Sequence, residues 1–527
     1  MLLVIDAVTL FCLEAKKRVK KILPFNPFKR FKSNLFLYLL ACSHFSMAIS
    51  DKVIASEIQS ETTINASFDS IKNTVNKANI EIAEWSFFIY MQARNNLAPF
   101  AGRNLNAISS FKTNPRVNFI AQWDQPKQKG AWRYKIEKDS VTLENYTDVK
   151  DPLDQAAKLV DFVKWGAEKF PAKKYCIILW NHGVGPLNPP YGNPVRMLLS
   201  QRNESVCLNP EKILFLETEE VEPKPEEVDL LCDIGKRGVL FDEDNRTYMT
   251  NDDLSKSLEQ ITSKDILGKK VDCLGFDACY MCGVEIAAEV SKYAEYMVAS
   301  QELELARGWN YDKISEKVNS SIPTAAQLAK IIVTTYGDLY RGNTNIFTQS
   351  AIRLDNVDRV TRDIDQVIAS IEAVAKEDKG FIIEAIKMVR KNCLQFTAKV
   401  YVDLNSFYQS LLDQVMLKLS HGTGVLPSLQ QGSRPRRQAY VHINASIPTT
   451  TTTSSSSGAF EMLASDLRNA IVGISSVVIE NTSSTYLSRA KGMSVYFPIK
   501  FIDPSYEFSI FSKKTRWLNF IKAFSMR

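Results

Sequence analysis

Val271–Glu289 reads VDCLGFDACYMCGVEIAAE, and its two halves follow different periods. Val271 to Phe276 is an apolar run of the length of one buried strand. Beyond Phe276, Val284, Ala287 and Ala288 fall at helical spacing, and Ala, Met and Glu are good helix formers. The pattern predicts a strand that ends near Asp277 and a helix that begins near Cys279. A cysteine so placed stands at the carboxyl end of a strand and the amino end of a helix. Unpaired N–H groups and the positive end of the helix dipole there favour thiolate over thiol. In open α/β sheets that edge is also where ligands bind.

A second stretch, Lys174–Gly185, reads KYCIILWNHGVG. Its apolar strand, Tyr175 to Trp180, runs into Asn181-His182-Gly183. The chain has four histidines, His44, His182, His421 and His442. If the two strands are parallel neighbours, His182 and Cys279 face each other along one rim, which supplies the thiol and base of nucleophilic catalysis. Cys279 would attack a carbonyl carbon. His182 would act as base to the thiol and then as acid to the leaving amine. Backbone N–H groups of Gly183 and Cys279 would hold the oxyanion, since glycine permits close backbone approach. Residue types alone favour a blander reading, a buried structural cysteine and a satisfied core histidine.

Two further features surround Cys279. Asp277 precedes it by two residues and shares its face of an extended strand. A carboxylate there suits a basic substrate side chain, and it is equally well placed to cap the helix that follows. Cys279-Tyr280-Met281-Cys282 is also a C-x-x-C at a helix start, the arrangement of thiol–disulfide oxidoreductases. Replacing Cys282 separates the readings: a redox enzyme loses activity and a hydrolase keeps most of it.

The remaining chain sets the frame. Its 527 residues are enough for a large core and more than one structural unit. The apolar fraction of 45% and charged fraction of 24% are those of a soluble globular protein. The net charge of +6 partly reflects the basic stretch Lys16–Lys32, and no basic stripe interleaves with aromatics, so nucleic acid is not an expected partner. Basic residues through Lys32, the apolar run Leu35–Cys42 and the small-x-small step Ser46-Met47-Ala48 read as an export signal. That run is too short to span a bilayer comfortably. Leu39-Leu40-Ala41-Cys42 also has the form of a lipoprotein signal, which would make Cys42 a lipid anchor. The expected address is therefore secreted, periplasmic or surface-anchored. The nine cysteines show no disulfide spacing, and Cys176 and Cys273 read as buried small hydrophobes.

In order, 1–48 is a leader and 49–84 a polar spacer. Trp85–Met91, Val117–Trp123 and Tyr296–Ser300 read as strands, and Ala131–Glu137 with Ser140–Tyr146 as a hairpin. Helices are expected at Leu105–Phe111, Leu153–Phe170, Asn251–Leu267, Ala325–Leu339, Val357–Ala375, Glu384–Leu394 and Phe407–Leu419. Ile346–Leu354 and Met493–Phe497 are further strand candidates. This alternation predicts an α/β fold, a mostly parallel sheet flanked by helices. The long excursion 186–238, with its acidic run Glu217 to Asp229, separates the histidine strand from the cysteine strand. An insertion of that length is expected to be exposed, so it is a place for proteolysis. Ser433–Arg437 is a basic loop and Thr449–Ser457 a Thr/Ser tract with no apolar side chain to bury.

The stretches AQWD, ILWNHG, FDACYM, VASQELELARGWNYD, GMSVYFP and FSKKTRWLNFIKAF, in that order, resemble the clostripain family of cysteine peptidases, of caspase-like fold. The resemblance runs from about Trp85 to the C-terminus. It implies a caspase-like peptidase core over 85–345, completed by a C-terminal α/β region over 346–527. It implies a cysteine endopeptidase acting on proteins or peptides through Cys279 and His182. It implies that Asp277 lines the specificity pocket and selects arginine, then lysine. Members of that family mature by cutting themselves. Here Lys236 and Arg237, flanked by Gly235 and Gly238, are the expected sites, and Lys224 is disfavoured by Pro225. Some members need calcium, but no EF-hand-like ladder occurs here, so no cofactor is expected and calcium has no supporting motif. With His, Gly, Asp and Cys all in place, an inactive binding-only relative is the weaker alternative.

Overall fold

Strand β1 (Ala83–Gln92) sends alternate side chains to two separate cores, Trp85, Phe87, Ile89 and Met91 to one and Phe88 and Tyr90 to the other. That alternation is the signature of a sheet covered on both faces. The computed structural model describes residues 82–128, 130–147, 154–187, 238–422 and 458–524. The leader with Cys42, nearly all of the spacer, Lys236, Arg237, the basic loop and the Thr/Ser tract lie outside the described residues.

After β1 come α1 (Ala98–Ser109), β2 (Val117–Asp124), β3 (Ala131–Glu137), β4 (Ser140–Thr147), α2 (Gln155–Lys169) and β5 (Ala172–Trp180). Helix α1 starts well before the expected Leu105, because Pro99 stands in its first turn, where its missing N–H costs nothing. Asp154 caps α2 by accepting the N–H of Ala157. The chain resumes with the small hairpin β6 (Val239–Asp242) and β7 (Thr247–Met249), then α3 (Asn251–Thr262). Thr250 and Asp253 form a reciprocal capping box at the start of α3. This helix ends at Thr262, short of the expected Leu267.

Next are β8 (Val271–Asp277), α4 (Val284–Val290), β9 (Ala294–Ala299), α5 (Tyr311–Ser321), α6 (Ala325–Tyr340) and β10 (Thr348–Arg353). They lead to α7 (Val357–Glu377), α8 (Lys379–Asn392), β11 (Tyr401–Asp403) and α9 (Leu404–Gly422). The chain closes with α10 (Gly458–Val477), β12 (Val478–Ser483), β13 (Ser494–Tyr496), α11 (Ile510–Lys514) and α12 (Trp517–Phe524).

Nine strands form the main sheet in the order β12-β10-β9-β8-β5-β1-β2-β3-β4. The run β9-β8-β5-β1-β2 is parallel, and two antiparallel strands extend it on either side. Strands β10 and β12 come from beyond residue 345, so the C-terminal region shares this sheet. Helices α1, α5 and α6 pack on one face; α2, α3, α4, α7 and α10 pack on the other. Chain order reverses between β1 and β5: β2 lies on one side of β1 and β5 on the other. That is a topological switch point, and the crevice at the strands' carboxyl ends opens there.

A buried ion cluster fastens the hairpin to the first strands. Asp242 has no exposed surface, and its Oδ2 accepts from Arg94 Nη1, Gln92 Nε2 and Gln155 Nε2, each at 3.3 Å, with Lys158 Nζ at 3.9 Å. A carboxylate out of water is tolerated only with such partners.

Candidate active site

Three loops meet at the carboxyl ends of adjacent strands: Ala93–Asn96 after β1, Asn181–Gly185 after β5, and Ala278–Gly283 after β8. Register fixes their heights. Trp180 pairs with Asp277, so His182 and Cys279 each stand two residues beyond a matched pair on neighbouring strands. The condition set by the sequence, parallel neighbours with both residues on one rim, is met.

Asn181 holds the histidine loop. Its N–H donates to the Asp277 carbonyl at 3.2 Å, and its side-chain amide donates to the carbonyl of Phe241 at 2.9 Å and to that of Gln92. Asn95 Nδ2 in turn donates to Asn181 Oδ1 at 3.1 Å. His182 is partly exposed, sits edge-on to Phe241, and has Nε2 at 2.8 Å from Asn96 Oδ1. Gly183 is pressed against the cysteine loop: a Cβ there would stand 2.6 Å from the Cys279 carbonyl oxygen and 3.0 Å from the Met281 sulfur. Gly183 also bridges to Val239, and the Val184 N–H donates to Gly238 O at 2.9 Å.

The cysteine loop differs from the expectation. No helix begins at Cys279; α4 starts at Val284, and between them Tyr280 adopts a left-handed turn with φ 60°. The loop is instead bonded to the chain leaving β9, with Tyr280 N–H to Glu302 O at 3.1 Å and Cys282 N–H to Ser300 O at 2.9 Å. A helix dipole therefore does not support a thiolate. Burial, followed by the charges of Glu304, Glu302 and Asp277, pushes the Cys279 thiol up to about 12, against the one N–H that favours ionisation. That N–H is the Glu304 backbone amide, 3.2 Å from Sγ. The Cys279 side chain is therefore favoured as a thiol over a thiolate.

Asp277 does not cap α4, whose N-cap is Gly283 with no side-chain hydrogen bond. Its carboxylate is buried beneath the rim, where Oδ2 accepts from Tyr311 Oη at 2.8 Å and from the Trp309 N–H at 3.3 Å. Gly308, at φ +72°, lies so close that a Cβ would be 2.7 Å from Oδ2. Burial raises this carboxyl to about 7 although the hydrogen bonds from Tyr311 and Trp309 oppose it.

Glu304 escaped the sequence reading. Its Oε1 accepts from Gln349 Nε2 at 3.1 Å and Trp309 Nε1 at 3.3 Å. The available signal was the alternation Glu302-Leu303-Glu304 past an apolar strand, which places two acids where the chain returns to the core. Cys282 is fully buried with its thiol on Gly492 O at 3.2 Å, and both Cys279 and Cys282 are free. Among the described residues, no group of three or more His, Cys, Asp or Glu side chains could hold a metal ion. Among them, too, no helix is long and apolar enough to cross a membrane.

The profile of the clostripain family, Peptidase C11, matches residues 229–524, more than half of the chain. Among solved structures, the chain is similar to a secreted C11 cysteine protease from Bacteroides thetaiotaomicron in complex with an irreversible peptide inhibitor. The two share 16% identity over 83% of this chain and 100% of that one, with a TM-score of 0.50. It is likewise similar to a structure described as the secreted C11 cysteine protease "iotapain" from the same organism. That match has 13% identity over 82% of this chain and 98% of that one, and a TM-score of 0.50. At such identities the likeness bears on the fold, which agrees with the α/β, caspase-like architecture read from the sequence. No match was found among curated proteins.

Proposed function

The chain belongs to the clostripain family of cysteine peptidases, and we propose that it is an endopeptidase that cuts after arginine, then lysine, through Cys279 and His182. The observation that carries this reading is the juxtaposition of the two loops at the ends of β5 and β8, with a buried carboxylate, Asp277, directly beneath the nucleophile's loop.

In the reaction, His182 removes the thiol proton as the sulfur attacks the scissile carbonyl carbon. Because the thiol is held un-ionised, deprotonation and attack are coupled rather than sequential. Backbone N–H groups of Gly183 and Cys279 receive the oxyanion, and the closeness of the two loops supports that assignment. The imidazolium then protonates the leaving nitrogen, the C–N bond breaks, and a thioester remains. Water, deprotonated by His182, attacks the thioester, releases the new carboxyl end and restores the thiol. The guanidinium of the residue before the cut bond pairs with Asp277, a charge-assisted contact that favours arginine over lysine by its fork geometry.

Self-processing at Lys236 or Arg237 is part of the proposal. It rests on the two glycines around these residues and on the family. The export signal, with or without a lipid at Cys42, would take the enzyme out of the cytoplasm. The oxidoreductase alternative has no support in the site, since Cys282 is buried with its thiol engaged by Gly492.

The test is hydrolysis of short peptide amides ending in Arg, Lys, Asp or Phe by the purified protein, beside Cys279→Ala and His182→Ala. Cleavage restricted to Arg and Lys, absent from both variants, is expected. Activity surviving in Cys279→Ala overturns the assignment.

A further inference from the structure

We infer that Tyr401, contributed by the C-terminal region, is a positioning residue for the reaction: a single side chain that touches the histidine loop and the cysteine loop together and sets their spacing. The inference rests on the reading of Cys279 and His182 as the reacting pair.

Tyr401 opens β11 with its side chain buried. Its backbone is pinned in a tight turn, where its N–H donates to Ala398 O at 2.9 Å and its carbonyl accepts from the Phe396 N–H at 3.2 Å. Strand β13 holds it from the other side through the Tyr401–Tyr496 pairing, with the Phe497 N–H on Val400 O at 2.7 Å. Together β11 and β13 form a two-stranded sheet of their own, apart from the main sheet that carries the two loops.

From that frame Tyr401 reaches both loops. Its hydroxyl donates to the carbonyl of Val184, two residues past His182. Its ring lies against Tyr280, the residue after Cys279, with centroids 5.3 Å apart. Tyr280 is the residue that takes the left-handed turn, and its own hydroxyl accepts from the Ala398 N–H at 3.2 Å. Gly185 shows how closely the three meet: a Cβ there would stand 2.9 Å from the Tyr280 carbonyl oxygen and 3.3 Å from Tyr401 Oη. A second tie comes from the same small sheet, where the Ser494 N–H donates to Cys282 O at 2.9 Å.

A tyrosine kept only to satisfy a buried carbonyl would act on stability alone. This one satisfies a carbonyl of the histidine loop while its ring packs on the loop that carries the sulfur. The hydrogen bond and the ring contact therefore fix a distance between the reacting groups, not the place of either loop by itself. Small errors in that distance cost large factors in rate. Burial holds the Tyr401 hydroxyl well above its ordinary range, so it remains a donor.

The experiment compares two substitutions. Tyr401→Phe keeps the ring and removes the hydrogen bond; Tyr401→Leu removes both contacts. With an Arg peptide amide, kcat should be about tenfold lower in Tyr401→Phe and lower again in Tyr401→Leu, with KM within about twofold of wild type. Inactivation by iodoacetamide, a small alkylating reagent that needs no specificity pocket, should slow alongside kcat, because the thiol has lost its base. Tyr506→Phe is the control: it removes a buried hydroxyl bonded to Glu285 from the same aromatic cluster, and it should lower thermal stability and leave kcat alone. Wild-type kcat and inactivation rate in Tyr401→Phe overturn the inference. So does an equal loss of kcat in Tyr506→Phe, which would make the effect one of general stability. Activity in Cys279→Ala overturns the reading of the pair instead. Should Tyr401→Phe fail to fold, hydrogen exchange of wild type decides. Alkylating Cys279 with an Arg-ended peptide chloromethyl ketone should slow exchange over 182–185 and over 398–403 together, and no slowing over 398–403 overturns the inference.

Discussion

His182 and Asn96 meet across two neighbouring strand ends, with Nε2 of the ring 2.8 Å from the side-chain oxygen of the asparagine. An amide oxygen only accepts, so in this contact the ring nitrogen Nε2 is the donor. Asn96 thereby orients the ring that we propose as the base. Aspartate at this position should stabilise the imidazolium and move the acid limb of the kcat/KM profile to higher pH. Alanine should lower kcat by roughly tenfold or more, as loss of an orienting partner does at other imidazole sites. A pH profile that is the same in Asn96→Asp as in wild type would contradict this role.

Gly183 has no room for a side chain, because a Cβ would collide with the Cys279 carbonyl at 2.6 Å. Backbone cannot swing aside as a side-chain end can. Gly183→Ala should therefore part the two catalytic loops, lowering kcat on the order of a hundredfold and stability by about 1–3 kcal/mol. Kinetics and thermal melting of the same preparation check both.

Burial is the main cause that raises the Asp277 carboxyl to about 7. Its folded value lies above its unfolded one, so the folded state binds the proton more tightly. Stability from this group falls as pH rises from about 4 to about 7 and is flat beyond. On the proposed role of Asp277, affinity for a basic substrate should run the opposite way, since a cation pairs with the ionised carboxylate. KM for an Arg peptide amide should fall as pH rises toward and through about 7, by up to about tenfold per unit below it. KM for a citrulline amide should show no such trend.

Glu285 is a second buried acid, raised by burial to about 7 against hydrogen bonds from the Tyr496 N–H and the Tyr506 hydroxyl. Its Oε2 has no partner. Glutamine keeps the accepting oxygen and removes the charge. Glu285→Gln should match wild type in stability at pH below the ordinary carboxylate range. Above neutrality it should exceed wild type by about 1–3 kcal/mol. Denaturant unfolding at the two extremes measures the difference.

Wild type incubated alone should split into two chains, with a new N-terminus at Arg237 or Gly238. Cys279→Ala and the Lys236→Ala/Arg237→Ala protein should stay whole. N-terminal sequencing of the fragments decides, and a fully active, uncut wild type would end this part of the proposal.

The strands that carry the site were legible because each is a short apolar run with a sharp polar end: Trp85–Met91, Tyr175–Trp180 and Val271–Phe276 all fall within observed strands. The helix start was misread because Ala278, Met281 and their neighbours have helical preferences. Those preferences lose to hydrogen bonds with Ser300 and Glu302, which tertiary structure alone supplies. Glu304 was illegible for a related reason. What holds it beneath the rim is Gln349, distant in sequence, and no local period reports that contact. Helix α10 was missed although Phe460, Leu463, Leu467, Ala470 and Ile474 mark its buried face. The Thr/Ser tract just before it drew the reading to composition instead of periodicity.

The Asp242 cluster has a consequence for the enzyme as an assembly of pieces. Everything before residue 188 contributes β1 to β5 and the histidine; everything after 237 contributes β8 and the cysteine. The boundary between these halves inside the sheet is the β5–β8 pairing, so His182 and Cys279 lie on opposite sides of a seam. Asp242 belongs to the second half, as does Asn245, which donates to it, whereas Arg94, Gln92, Gln155 and Lys158 belong to the first. It works as a keyed plug: a charge on one piece with a buried socket on the other, where removing one side strands the other at a cost of about 3–5 kcal/mol. Two separately synthesised halves are expected to pair in one register, and Asp242→Ala is the change that should leave them apart.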